Sequence, residues 1–283
     1  MGAAATSGAV QLLVSDVDGT LLDADRRLSP ATVRAARDLA DAGVRLALAS
    51  SRPPRGMVQF VLPLALSAPM AGFNGAQVVT PDLDPLAERP LDPAVVAPLV
   101  EVLRSAGVDV WAFQGSRWLV ERPDGARVAH HADDVGYRPE VVDDLLATLM
   151  GDGEPATKVV GVSEDHDAVA AAHRLVGAQL GDRVAASSSQ PVYLDVTDPG
   201  ATKGAALLAL CGLLGVPAEA TAAIGDGAND VTMFAAGGLG IAMGNATSAV
   251  RSAADAVTGA NDVDGWAAAV TELVLPNASR APV

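Results

Sequence analysis

At both ends of the chain, apolar runs of strand length alternate with amphipathic helix patterns. Residues 11–15 (QLLVS) form a short apolar run that ends in a turn, and Ser29-Pro30 then offers a side-chain N-cap and a proline at the first helical position. The helix so started carries Val33, Ala36, Leu39 and Ala40 on one face, stops at Gly43, and gives way to a second apolar run at 44–49. This is a βαβ unit. A strand that is apolar at every position is buried on both faces, so such units predict a parallel sheet with helices on each side. The alternation returns late in the chain, as helix 202–214, strand 221–224, helix 229–236, strand 239–243 and helix 247–253. The expected core is an α/β, Rossmann-like doubly wound parallel sheet.

Between about residues 83 and 197 the pattern changes. Short alternating segments at 110–114 and 117–121 predict antiparallel strands with one wet face, and helical patterns at 93–106 and 165–180 lie among them. All four histidines and five of the nine aromatic residues fall here. Turn dipeptides at Pro81-Asp82 and Asp198-Pro199-Gly200 mark the crossings. Residues 1–82 and 198–283 are therefore expected to form one catalytic core, with 83–197 an inserted α+β domain.

Composition narrows the function. With 283 residues, half of them hydrophobic, the chain can bury a large core, and its net charge of −15 supplies no basic face for nucleic acid or an acidic membrane. The longest apolar candidate, 57–71, is broken by Gln59, Pro63 and Pro69 and is too short to span a bilayer. The lone cysteine, Cys211, sits in an apolar run and reads as a core residue. The N-terminal stretch lacks a basic n-region, so a soluble, cytoplasmic protein is expected, monomeric or a homodimer. The short myristoylation match at Met1-Gly2 and the sequons at Asn245 and Asn277 are given no weight.

Four strand ends carry chemistry. Asp16 and Asp18, in the segment 16–21 (DVDGTL), follow the first buried strand with the i, i+2 spacing that aims two carboxylates at one spot. Such a pair calls for a cation, Mg²⁺ above all, and suits a carboxylate nucleophile beside a carboxyl acid/base; a plain acidic turn has the same composition. Segment 225–230 (GDGAND) repeats that logic, Asp226 and Asp230 adding hard oxygen ligands, although Asn229 or Asp230 also suits a helix cap. Of the 19 basic residues only Lys158 and Lys203 are lysines. Lys203 is therefore a candidate point charge between a phosphate and a carboxylate, or else a surface lysine in the first turn of a helix, whereas Lys158 is assigned no role. Ser50, Ser51 and Arg52 bring hydroxyl and N–H groups to a further strand end, as a phosphate cradle or a simple turn. His130, His131, Asp133 and Asp134 are expected in a solvated loop, not around a metal.

In this order the segments DVDGTL, ASSR (49–52, where ATGR is commoner), ATKG (201–204) and GDGAND resemble the four motifs of the haloacid dehalogenase superfamily of phosphatases. FNGA (73–76) and IAMGNA (241–246) are similar to segments of its Cof-type branch, subfamily IIB, which inserts a C2B-type cap between the second and third motifs. The resemblance implies that Asp16 is the nucleophile and Asp18 the acid/base. It implies that Asp16, the backbone carbonyl of Asp18 and Asp226 hold Mg²⁺, to which the residue reading adds Asp230 as a further candidate, and that Lys203 bridges the phosphoryl group to Asp16. Ser50, Ser51, Arg52, Asn74 and Asn229 are the candidates for phosphate and substrate contact. The expected activity is Mg²⁺-dependent hydrolysis of a small phosphorylated metabolite through an aspartyl-phosphate. A phosphosugar mutase of the same superfamily and a non-enzymatic metabolite-binding module are the alternatives. Rings make up only 3% of the chain, which favours a sugar or polyol phosphate over a nucleotide or pyridoxal phosphate.

Overall fold

The computed structural model describes residues 9–151, 153–188 and 190–278. In chain order the strands are β1 (Leu12–Ser15) and β2 (Arg45–Leu48), then β3 (Met70–Gly72), β4 (Gln77–Val79) and β5 (Pro85–Glu88). Next come β6 (Asp109–Gln114), β7 (Arg117–Val120), β8 (Glu140–Val141), β9 (Lys158–Val162), β10 (Ala185–Ser187) and β11 (Tyr193–Thr197). The last are β12 (Thr221–Gly225), β13 (Leu239–Ala242) and β14 (Ala256–Val257).

The core is an all-parallel sheet in the order β14-β13-β12-β1-β2. Every residue of β1 is buried because the sheet is covered on both faces. Alternation sends Leu13 to the side of helix Pro30–Asp41 and Trp266, and Leu12 and Val14 to the side of helices Lys203–Leu214 and Val231–Ala236. Both long helices start as their sequences direct: Ser29 accepts from the Thr32 N–H at 3.1 Å, and Thr202 from the Ala205 N–H at 3.1 Å. Cys211 is buried on the second of these. The helix expected at 229–236 opens as a 3₁₀ turn, Ala228–Asp230, before Val231–Ala236.

The insertion is a six-stranded sheet in the order β10-β11-β9-β6-β7-β8, antiparallel except for the edge pair β7–β8. Helices Pro93–Ser105 and His166–Leu180 pack on the face that carries Val110, Ala112, Leu119, Val159, Leu194 and Val196. The opposite face was expected to be wet. It is not: Trp111, Phe113, Trp118, Val160 and Tyr193 form an apolar cluster there with Phe73 and Ala76 of the core. Period-2 alternation located that face, but only the docking of one body on the other decides what it meets. β5 pairs with β4 before Leu91 enters the core of the insertion. Among the described residues, no helix is long and apolar enough to cross a membrane.

Candidate active site

The carboxyl ends of β1 and β12 lie side by side, because the two strands pair in register from Leu12–Thr221 to Ser15–Ile224. The first residues past these ends include Asp16 and Asp226. The turn after β1 forces Gly19 to a φ of 77°, and a Cβ built there would lie 2.5 Å from Asp226 Oδ2, so the backbone can approach that carboxylate only as glycine. Thr20 Oγ1 donates to Asp226 Oδ1 at 2.9 Å, and Asn245 Nδ2 to the Gly19 carbonyl at 2.9 Å and Asp226 Oδ2 at 3.3 Å.

Lys203, at the first turn of its helix and 1% exposed, is the hub of the floor. Its Nζ donates to Asp16 Oδ1 and to Asp230 Oδ1, each at 2.5 Å. The other oxygen of Asp230 accepts the N–H groups of Asp226 and Gly227 at 2.9 and 2.8 Å. Both Asp230 oxygens are thus engaged in holding the lysine and shaping the loop.

Burial pushes the Asp16 carboxyl well above the carboxylate range, the charge of Asp230 adds to this, and Lys203 offsets it only in part. Burial raises Asp226 likewise, against the Thr20 hydrogen bond. For Lys203, burial works to lower the pKa, but the charges of Asp16 and Asp230 outweigh it and raise it. Carboxylate oxygens of Asp16, Asp226 and Asp230 lie within 4.8 Å of one another. A crowd of hard oxygens short of positive charge fits a divalent cation of the Mg²⁺ type.

Asp16, Asp18, Ser51, Arg52, Asn74, Lys203, Asp226 and Asn229 line one cavity of about 320 Å³. Ser50 lies behind the lining, its hydroxyl accepting the Arg52 N–H at 3.2 Å. Asn74, at a φ of 57°, accepts from Asn229 Nδ2 at 2.9 Å across the floor. Arg52 grips both oxygens of Asp18 at 2.7 Å and donates to the Asp134 carbonyl of the insertion at 2.8 Å. Opposite the floor the cavity is walled by the insertion, through Trp111, Phe113, His131, Lys158, Tyr193 and Asp195.

Residues 13–270 match the haloacid dehalogenase-like hydrolase family. The chain belongs to that family. It is 34% identical over 231 residues to the HMP-PP phosphatase of Cronobacter sakazakii, covering 82% of this chain and 83% of that one. It is 30% identical over 268 residues to a 5-amino-6-(5-phospho-D-ribitylamino)uracil phosphatase of Bacillus subtilis, covering 90% and 94%. A haloacid dehalogenase-like hydrolase from Bacteroides thetaiotaomicron superposes with a TM-score of 0.84 at 28% identity, over 93% of this chain and 99% of the other. The chain is a phosphatase of the haloacid dehalogenase superfamily.

In this phosphatase the wall contributed by the insertion departs from the sequence reading. His130, His131 and Asp134 stand on a helix, Val128–Val135, not in a solvated loop, because Val128, Ala132 and Val135 bury one face of it. His131 packs against Trp111 and Trp118, with ring centroids 5.2 and 4.8 Å away. Lys158 is the larger omission. The scarcity of lysine that singled out Lys203 applied equally to it, and both lysines of the chain line the same cavity. Asp195 carried a weaker signal, its place on the same strand face as Tyr193.

Burial, reinforced by the charge of Lys158, lowers the His131 pKa to about 3. The unfolded chain takes up this proton near the ordinary imidazole value of about 6.5, and the folded chain does not until about 3. Between those values the unfolded state binds more protons, so stability falls as pH falls. His131→Phe should therefore lose less stability than wild type from pH 6.5 to pH 4, by up to about 1.4 kcal/mol per pH unit, in melts at matched pH. Parallel losses in the two proteins would show that His131 protonates freely in the fold.

Proposed function

We propose that this phosphatase hydrolyses a small, ring-bearing phosphomonoester with Mg²⁺, carrying the phosphoryl group transiently on Asp16. The observation that carries the reading is Asp16 itself. It is 6% exposed, lies at the floor of the cavity with one oxygen held by Lys203 at 2.5 Å, and has Asp226 beside it. That combination orients a carboxylate nucleophile and leaves its other oxygen for an in-line attack on phosphorus.

Asp16, the Asp18 carbonyl and Asp226 would hold Mg²⁺, which supplies positive charge against the phosphoryl oxygens. The chain does the rest. Lys203 keeps Asp16 aimed and meets charge that builds on the phosphoryl group, and the N–H and hydroxyl of Ser51, which lines the cavity, suit its remaining oxygens. Arg52 holds both oxygens of Asp18 as a carboxylate here; released from that pair when substrate binds, Asp18 gives a proton to the leaving oxygen, then takes one from the water that attacks phosphorus and frees Asp16. Asp230 positions Lys203 and the loop of Asp226 instead of touching substrate. Residues 83–197 act as the cap that keeps bulk water out, docked by Arg52 on the Asp134 carbonyl, by the Arg26–Asp134 ion pair, and by Lys158 on the Ser51 carbonyl at 3.2 Å.

The preference for a sugar or polyol rested on the scarcity of rings. Scarcity in the chain is not scarcity at the site: Trp111, Phe113, His131 and Tyr193 converge on the cavity wall. A volume of about 320 Å³ suits a single ring with its phosphate. The relative named for 5-amino-6-(5-phospho-D-ribitylamino)uracil supports a ring-bearing phosphomonoester.

With p-nitrophenyl phosphate and Mg²⁺ the expected result is steady release of inorganic phosphate with no bisphosphate activator. EDTA should reduce it by at least about 10²-fold, and added Mg²⁺ should restore it. Turnover only with a bisphosphate activator, and with little free phosphate, would favour the mutase.

A further inference from the structure

We propose that the cap wall selects an uncharged leaving group, with Lys158 and Asp195 as a matched pair that turns away a second anionic group. This rests on the phosphatase reading and deepens it. The charged side chains that face the leaving-group end of the cavity come in pairs. Lys158 Nζ lies 2.6 Å from Asp195 Oδ1, and both side chains are only 7% exposed. Arg26 is paired with the Asp134 carboxylate, and Arg52 with both oxygens of Asp18. His131 is neutral at physiological pH and so adds no cation. Among the described residues that line this end, no cation lacks a carboxylate partner.

A second phosphate or a carboxylate on the substrate would have to lie against Asp195 or draw Lys158 away from it. The first juxtaposes like charges in a poorly solvated space, and the second gives up the 2.6 Å contact between two buried charges. An uncharged ring meets neither penalty. It can lie against Trp111 and Phe113, and it can exchange a hydrogen bond with His131 Nε2, which is buried in the cavity wall without a hydrogen-bond partner. The pair's location argues the same way. A buried ion pair contributes little net stability compared with apolar residues of similar size, and here it projects from β9 and β11 into the cavity, not into the helix-covered face. Recognition accounts for a costly pair placed there.

Asp195→Asn tests this, because it keeps the shape while leaving Lys158 a cation without a carboxylate beside it and so converts a wall that rejects anions into one that accepts them. Benzylphosphonate and 4-carboxybenzylphosphonate, which cannot be hydrolysed, differ by the one charge at issue. Their binding to the full-length protein with Mg²⁺, measured by calorimetry, reads the inference without turnover; hydrolysis of phenyl phosphate in parallel reads the phosphatase assignment. Wild type should bind the uncharged phosphonate at least about tenfold more tightly. Asp195→Asn should shift the ratio of the two affinities by at least about tenfold toward the carboxylated one. The double variant Lys158→Met/Asp195→Leu, which has neither charge, should keep the wild-type preference. Equal or tighter binding of the carboxylated ligand by wild type would overturn the inference, as would an unchanged ratio in Asp195→Asn.

Discussion

Replacing Asp16 with asparagine should abolish phosphate release and leave the protein folded, with a melting temperature within a few degrees of wild type. The side chain is buried on the cavity floor, where burial and the charge of Asp230 already work against its ionised form. Asparagine keeps an oxygen to accept from Lys203, which still has Asp230 as a counter-charge at 2.5 Å. What disappears is the nucleophile. Asp18→Asn leaves the nucleophile but removes proton transfer, so its turnover should fall by about 10²- to 10⁴-fold. Steady-state phosphate release and a thermal melt check both variants. Wild-type turnover by Asp16→Asn would exclude attack by this residue, and unfolding of Asp16→Asn at ambient temperature would mean that its charge holds the floor together.

Lys203→Met should cost both stability and activity. The ammonium lies between two buried carboxylates at 2.5 Å each, and its loss leaves Asp16 and Asp230 facing one another uncompensated. Removing one partner of such an arrangement costs about 3–5 kcal/mol, which for a chain of this size lowers the melting temperature by on the order of 10 °C. Activity should be lost as well, because nothing then orients Asp16. Lys203→Arg keeps the charge but forces a planar fork into a fully packed site, so its melting point should fall by less while turnover stays severely impaired. A Lys203→Met protein that melts with wild type would show that Asp16 and Asp230 are neutral in the fold, and the electrostatic account of the floor would fail.

The floor was legible in the sequence because its parts are local. A strand end fixes where a following residue lies, so Asp16, Asp18 and Asp226 could be expected around one cavity; the carboxylate that joins Asp16 and Asp226 is that of Asp230, while both oxygens of Asp18 turn to Arg52. Asp230 was ambiguous between ligand and cap because its role depends on Lys203, 27 residues away in sequence. The roles of Ser50 and Arg52 were blurred for a similar reason. Ser50 was read as a phosphate contact, and it lies behind the lining; Arg52 was read as a substrate ligand, and its guanidinium is committed to Asp18 and the Asp134 carbonyl. The cap wall was hidden for another reason. Trp111, Lys158 and Asp195 meet only through the pairing of β6, β9 and β11, and that face becomes a cavity wall only when the cap docks on the core. A chain with few aromatic residues therefore looked unsuited to a ring-bearing substrate, although Trp111, Phe113 and Tyr193, with His131, line one cavity.

The most direct measurement of the central claim is to quench the enzyme during turnover with borohydride, which reduces an acyl phosphate on aspartate to homoserine, and to map the modified peptide by mass spectrometry. Homoserine is expected at position 16, dependent on substrate and absent from Asp16→Asn. Homoserine at another aspartate, or an unmodified Asp16 while phosphate is being released, would contradict it.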